Sequence, residues 1–160
     1  ISALQGENVE LHKVVRTEYD NEVITPYYFK VDVDEQRVEA EFAPSYHSAI
    51  YRFTFTSPES AYIILNSSNG AVKIEGNSIS GHQYTWGNVK IYIYCEFDAP
   101  ATQSGILKGR SMDASRNEGR GDDACAVIKF DGSQAVNFKY AVSFISEEQA
   151  KENLKRESRI

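Results

Sequence analysis

Long apolar runs are missing from this chain: nowhere do 18 apolar residues stand together, so no segment is built to cross a bilayer as a helix. The basic-then-apolar layout of a secretory leader is missing from the first residues as well. The chain opens at Ile1 without a Met, and a mature or excised piece of something longer is expected from that. Basic charge is in short supply: 17 Lys and Arg stand against 23 Asp and Glu, a formal net charge of -6. Phosphate backbones and anionic membranes are gripped by basic patches, so neither nucleic acid nor membrane is an expected partner. Cysteine occurs only twice. Alternation places Cys95 with Ile91, Ile93 and Phe97 on an apolar face, and Cys125 with Lys129 on a more polar one. Their Cβ vectors then point apart, which disfavours a disulfide, and both read as free thiols.

Concentrated chemistry is scarce too. There is no Gly-x-Ser-x-Gly, no P-loop and no dinucleotide fingerprint. His12, His47 and His82 are far apart with no ligand at zinc spacing and read as surface or turn residues. Asp32-Val-Asp34 opens like a calcium loop, but Arg37 stands where that loop needs Gly and Ala43 where it needs Glu. No metal site is predicted. With 23 acidic residues many carboxylate pairs are conceivable, yet no spacing selects one, and no catalytic residue is assigned.

What the chain does have is alternation. Aromatic residues make up 12% and ten of them are Tyr, a composition that leans to sheet. Tyr27, Phe29, Val31 and Val33 alternate with polar residues, as do Val38, Ala40 and Phe42, then Ala49, Tyr51, Phe53 and Phe55. Side chains two apart share a face of a strand, so these three segments predict an antiparallel meander with one face on a core, the first turn being Asp34-Glu35-Gln36. Before it, Val9, Leu11, Val14 and Val15 suggest an opening strand, and residues 19–22 a turn.

Further strands are predicted at 61–65, 72–74, 88–98, 103–108, 126–130 and 136–144. Asn69-Gly70 between apolar runs signals a type I′ hairpin, in which both residues take positive φ. Ser80-Gly81 and Asp131-Gly132 read as further punctuation. Residues 109–123, with three Gly and many charges, have little to bury and predict a mobile loop, or else a functional loop ordered by a partner. Ser146-Glu-Glu-Gln149 is a capping box that opens a terminal helix. Its seam is only Ala150 and Leu154, so its natural partner is expected elsewhere. The reading is an all-β fold of nine to eleven strands: a two-sheet antiparallel β-sandwich over 1–145, with a helical linker over 146–160.

One aromatic cluster lies outside the core alternation: Trp86 with Tyr84 and His82, near Gly81 and Gly87. Ring faces stack on sugar C–H surfaces, which makes these three the candidates for carbohydrate contact, although a lone Trp is more often a core or rim residue.

The run Glu22-Val-Ile-Thr-Pro-Tyr-Tyr28, the segment Val38-Glu-Ala-Glu-Phe-Ala43, the strand Tyr51-Arg-Phe-Thr-Phe55 and the tail Tyr140-Ala-Val-Ser-Phe-Ile-Ser146 resemble, in order and spacing, the N-terminal domain of glycoside hydrolase family 92, the calcium-dependent exo-acting α-mannosidases. The family's Gly before the paired tyrosines is absent here, and Tyr51 replaces a His before the strand Arg. The resemblance implies a non-catalytic, supersandwich-like β-sandwich that packs on a downstream helical-barrel domain of the same polypeptide and helps shape a site for a mannose-containing glycan. It also implies that the parent's acid, base and calcium ligands lie in that downstream domain, and that residence is periplasmic or secreted in a bacterium. Inverting hydrolysis needs two carboxylates roughly 6.5–9.5 Å apart, and the resemblance transfers neither to a position here. The other readings are a free-standing carbohydrate-binding module and a structural or adhesive sandwich.

Overall fold

A computed structural model describes residues 1–6, 11, 20–25, 28–33, 38–67 and 69–157. Its strands are β1 (Ser2–Gln5), β2 (Asp20–Thr25), β3 (Tyr28–Val33), β4 (Val38–Pro44), β5 (Ser48–Phe55), β6 (Ala61–Asn66), β7 (Ala71–Glu75) and β8 (Ser78–Tyr84). They continue with β9 (Lys90–Phe97), β10 (Gln103–Lys108), β11 (Ser111–Asp113), β12 (Glu118–Arg120), β13 (Cys125–Phe130) and β14 (Ala135–Ser143), and helix α1 (Glu147–Glu157) closes the chain. Two antiparallel sheets face each other: a small one in the order β1-β6-β13-β10-β11 and a large one in the order β12-β7-β8-β9-β14-β5-β4-β3-β2. The predicted sandwich is what forms, with more strands than expected because β1, β11 and β12 are too short to leave a periodic trace. Among the described residues no helix is long and apolar enough to cross a membrane.

The meander is present in the predicted order. β3 pairs with β4 and β4 with β5, and in β5 Ala49, Phe53 and Phe55 are buried while Arg52 is exposed. The Asp34-Glu35-Gln36 turn lies outside the described residues, as do Val9, Val14 and Val15 of the predicted opening strand. Residues 20–22, read as a turn, belong to β2, whose register against β3 shifts between Asp20 and Val23.

Two turn signals connect different partners from those expected. Asn69-Gly70 does not close a hairpin, because β6 lies in the small sheet and β7 in the large one. Asn69 has φ 59°, whereas Gly70 serves by its missing side chain: a Cβ there would lie 1.8 Å from the His82 carbonyl oxygen. Asp131-Gly132 likewise carries the chain from β13 in one sheet to β14 in the other. There the Gln5 amide clamps the crossing, donating to the Ser57 and Glu59 carbonyls while its oxygen accepts from the Ser57 amide at 3.1 Å. A Cβ on Gly132 would stand 2.1 Å from the Glu59 carbonyl oxygen. Gly132→Ala should therefore cost about 1–3 kcal/mol, as overfilling a packed site does, read as a lowered denaturant midpoint with an unchanged m-value. Ser80-Gly81 is no break at all but the middle of β8.

The core lies between the sheets, built from Phe53, Phe55 and Phe138 of the large sheet against Ile63, Ile128 and Phe130 of the small one. β13 is buried on both faces, because the outer face of the small sheet carries a second cluster of Leu4, Leu11, Ile64, Leu107, Cys125 and Val127. The polar face predicted for Cys125 is therefore apolar, and Lys129 is its one charged member. Both cysteines are buried and neither forms a disulfide, and burial pushes the Cys95 thiol up.

Residues 109–123 are structured. Ser111–Asp113 pairs with β10 and Glu118–Arg120 with β7, so the segment supplies one edge strand to each sheet. Its charges pair with each other: Asp123 accepts from Lys108 Nζ at 2.7 Å and from Arg116 at 3.2 Å, which holds its carboxyl below the usual range.

Helix α1 packs on the outer face of the large sheet. It crosses the row Ser80, Tyr94, Ala141 and Ser48, neighbours across β8, β9, β14 and β5. Small residues in that row let the helix approach, and Ala141, Ala150 and Leu154 are all buried. The narrow seam thus finds its partner on this chain, not elsewhere as expected. Asn153 Nδ2 donates to the Val142 carbonyl at 3.0 Å. In the last turn the Glu157 carboxylate accepts from the His47 amide, the His47 ring and the Ser48 hydroxyl at 2.7–2.9 Å. Ser146 caps the first turn, its Oγ accepting from the Gln149 amide at 3.0 Å, but the Gln149 side chain turns forward to Asn153 instead of back. The alternation predicted for β14 fails at its end: Ala141 and Ser143 are buried under the helix, and Phe144 is exposed.

Candidate functional site

His82 and Tyr84 stand two apart on β8, on the outer face of the large sheet, and β9 brings Tyr92 opposite His82 and Lys90 opposite Tyr84. The His82 ring meets Tyr84 edge-on at 5.4 Å and Tyr92 at 6.2 Å. Lys90 Nζ lies 5.7 Å over the Tyr84 ring, within the range of a cation–π contact. Two of the three predicted contact residues therefore share one aromatic strip. The backbone of the third, Trp86, begins a 3-10 turn at Trp86–Asn88 that closes the β8–β9 loop, where Gly87 and Asn88 take φ of 65° and 66°. Its side chain lies outside what the structure describes. The loop is pinned by Thr85, whose amide donates to the Val89 carbonyl at 2.8 Å.

Beside the strip, towards the sheet edge, a notch of about 130 Å³ is lined by Lys73, Ser80, His82, Glu118, Arg120 and Glu147. It is smaller than the pockets that enclose drug-sized ligands, so it can hold an edge or a substituent and not a whole oligosaccharide. Desolvation, Lys90 and Arg120 lower the His82 pKa, which favours the neutral imidazole, a ring that donates from one nitrogen and accepts at the other. Desolvation and the neighbouring Glu148 raise the Glu147 carboxyl. Charged donors and acceptors beside ring faces are chemically suited to hydroxyl-rich ligands. Sequence reasoning missed Tyr92 and Lys90. The strand register that sets them opposite His82 and Tyr84 was readable only from the length of the loop between.

A second depression of about 220 Å³ on the same face, lined by Glu41, Phe42, Ala43, Ile50, Arg52 and Asn137, is held by internal contacts. Arg52 Nε donates to Asn137 Oδ1 at 2.9 Å, and Asn137 donates in turn to both Asp98 oxygens. With its polar groups engaged, it reads as sheet-face structure. Among the described residues no three His, Cys, Asp or Glu side chains converge as a metal site does.

The family model described as the glycosyl hydrolase family 92 N-terminal domain matches residues 2–143. Among solved structures, a family GH92 inverting mannosidase from Bacteroides thetaiotaomicron VPI-5482 is 26% identical with a TM-score of 0.86, covering 98% of this chain and 23% of that one. A family GH92 α-mannosidase from Bacteroides thetaiotaomicron is 21% identical with a TM-score of 0.80, covering 99% of this chain and 25% of that one. No curated protein matches. The chain thus spans about a quarter of the length of the solved relatives it matches. By the family match over residues 2–143, it belongs to the N-terminal domains of glycosyl hydrolase family 92.

Proposed function

We propose that this domain is the non-catalytic β-sandwich part of an α-mannosidase-like glycoside hydrolase, seated on a downstream helical-barrel domain whose glycan site it helps to shape. The observation that carries the reading is the match of 98% of this chain to about a quarter of an inverting mannosidase. The reacting carboxylates and calcium of the parent belong in this reading to the downstream domain. The donor sets described here do not fit a calcium ion, and no step is assigned to them. Such an enzyme works on glycans outside the cytoplasm, in the periplasm or secreted. The test compares hydrolysis of an aryl α-mannoside by the full-length gene product and by residues 1–160 alone. Hydrolysis by the full chain and none by the fragment is expected. Turnover by the fragment would overturn the division of labour.

The aromatic strip of His82, Tyr84 and Tyr92 favours a second reading, a carbohydrate-binding module that grips glycan by itself. Taking the about 0.5–1.5 kcal/mol of an aromatic ring pair as the scale for a sugar face on one ring, Tyr84→Ala should weaken glycan binding by about two- to twelvefold. Trp86→Ala should do the same, and unchanged glycan-array signals in both variants would remove the strip from consideration.

A further inference from the structure

Six large hydrophobic residues are exposed among those described: Ile1, Tyr46, Tyr84, Val89, Phe144 and Ile145. Single exposed hydrophobics are ordinary, whereas a contiguous group marks an interaction surface. The strand registers show that five of these six gather at one end of the large sheet. Tyr46 sits in the β4–β5 turn, which is closed by the Ser45 amide on the Ser48 carbonyl at 2.7 Å. The next residue, His47, accepts from the Val142 amide at 2.8 Å, setting that turn beside the end of β14. Phe144 and Ile145 follow β14 directly. Because Ser143 pairs with Tyr92 and Tyr84 with Lys90, the loop bearing Val89 lies at the same end. Tyr46 is 96% exposed, Phe144 70% and Ile145 75%.

We propose that this apolar rim, centred on Tyr46, Phe144 and Ile145, is the surface on which the polypeptide following α1 docks. The inference rests on the reading above that a further domain follows, and adds where it sits. Two observations select that occupant. The solved relatives are about four times as long as the matched span, so a large partner is available on the same chain. The last turn of α1 is fastened by Glu157 to His47 and Ser48, the neighbours of Tyr46, so polypeptide leaving the helix starts out at this rim. The helix cannot itself cover it, since its own apolar residues Ala150 and Leu154 are already spent on the sheet face.

Hydroxyl-radical footprinting of the full-length chain tests the proposal, with half-buried Tyr51 and Tyr140 as internal references. Tyr46 and Phe144 are expected to oxidise no faster than those references, several-fold more slowly than their exposure in this domain predicts. Oxidation at the rate of fully exposed rings would overturn the assignment. So would protection that disappears on dilution, which would give the rim to a second copy of the chain. Protection at half-buried Tyr62 on the small sheet with none on the rim would also overturn it, while leaving the two-domain reading intact. As a second measurement, the full-length Tyr46→Ser, Phe144→Ser double variant should split one thermal transition into two. A single unshifted transition would count against the docking.

Discussion

Replacing Phe138 by Ala should destabilise this domain by about 3–5 kcal/mol, the range for emptying a buried aromatic site. Phe138 is fully buried in the middle of β14, with β9 on one side and β5 on the other. Its ring stacks on Phe97 at 6.5 Å, nearly parallel, and Phe97 meets Phe130 edge-on at 5.6 Å. Phe130 belongs to the opposite sheet, so the three rings form one continuous link across the sandwich. Removing the first leaves a cavity that strands bonded on both sides cannot close. The loss is a large share of the 5–15 kcal/mol typical of whole-domain stability, and a strongly lowered denaturant midpoint is the expected observation. Phe138→Leu keeps most of the volume and should lose much less. Equal losses for both would mean that the site does not depend on volume. Lys139→Ala, one residue along on the outer face, should change little.

Glu157→Gln should weaken the docking of α1 by on the order of 1.5–3 kcal/mol at neutral pH, the usual scale for hydrogen bonds to a charged group. Desolvation by itself would raise this carboxyl, but the His47 amide, the Ser48 hydroxyl and the His47 ring all stabilise the carboxylate and hold its pKa at about 2, against 4.5 in the unfolded chain. A depressed pKa contributes stability that is fully present above the unfolded value and lost as pH falls through the folded one. The wild-type advantage should therefore be constant above about pH 5.5, shrink below about 4.5 and vanish near 2, on the window set by those two values. Denaturant midpoints of both proteins from pH 2 to 7 measure it, and parallel curves throughout would contradict the linkage. Glu152→Gln is the control: its ion pair with Lys155 at 3.6 Å is exposed, and such pairs contribute little.

The sandwich was legible wherever one strand face is dry and the other wet. In β5, Phe53 and Phe55 against Arg52 and Thr54 carry that pattern plainly. Where both faces are covered the strand was still found but its faces were misjudged: the strand predicted at 126–130 forms as β13, yet the face carrying Cys125 is buried too, as the continuous apolar run Ala126-Val-Ile128 of a strand covered on both sides indicates. Turn dipeptides were located correctly and connected wrongly, since Asn69-Gly70 and Asp131-Gly132 report that the chain bends and not which sheet it enters next. The partner of α1 was missed because the receiving surface is made by smallness: Ala141, Ser48 and Ser80 form a row only once three strand registers are known. Charges at 108–123 looked solvating because their pairing, Asp123 with Lys108 and Arg116, needs the two edge strands in place. Of the candidate site, the sequence singled out His82 and Tyr84 by their position outside the core pattern, and could not supply Tyr92 and Lys90, which join them across the β8–β9 register.

The position of β14 has a consequence for how the domain is made. It is the last strand among the described residues, yet it lies in the interior of the large sheet, between β9 and β5. During synthesis, before residue 143 leaves the ribosome, that sheet exists as two fragments, each with a bare edge that can pair with another nascent chain. The closing strand also makes contacts of long sequence separation on the β5 side, a topology that folds slowly. Closure of the large sheet is therefore expected to be the late step in folding this domain, made when that strand arrives to join the two fragments.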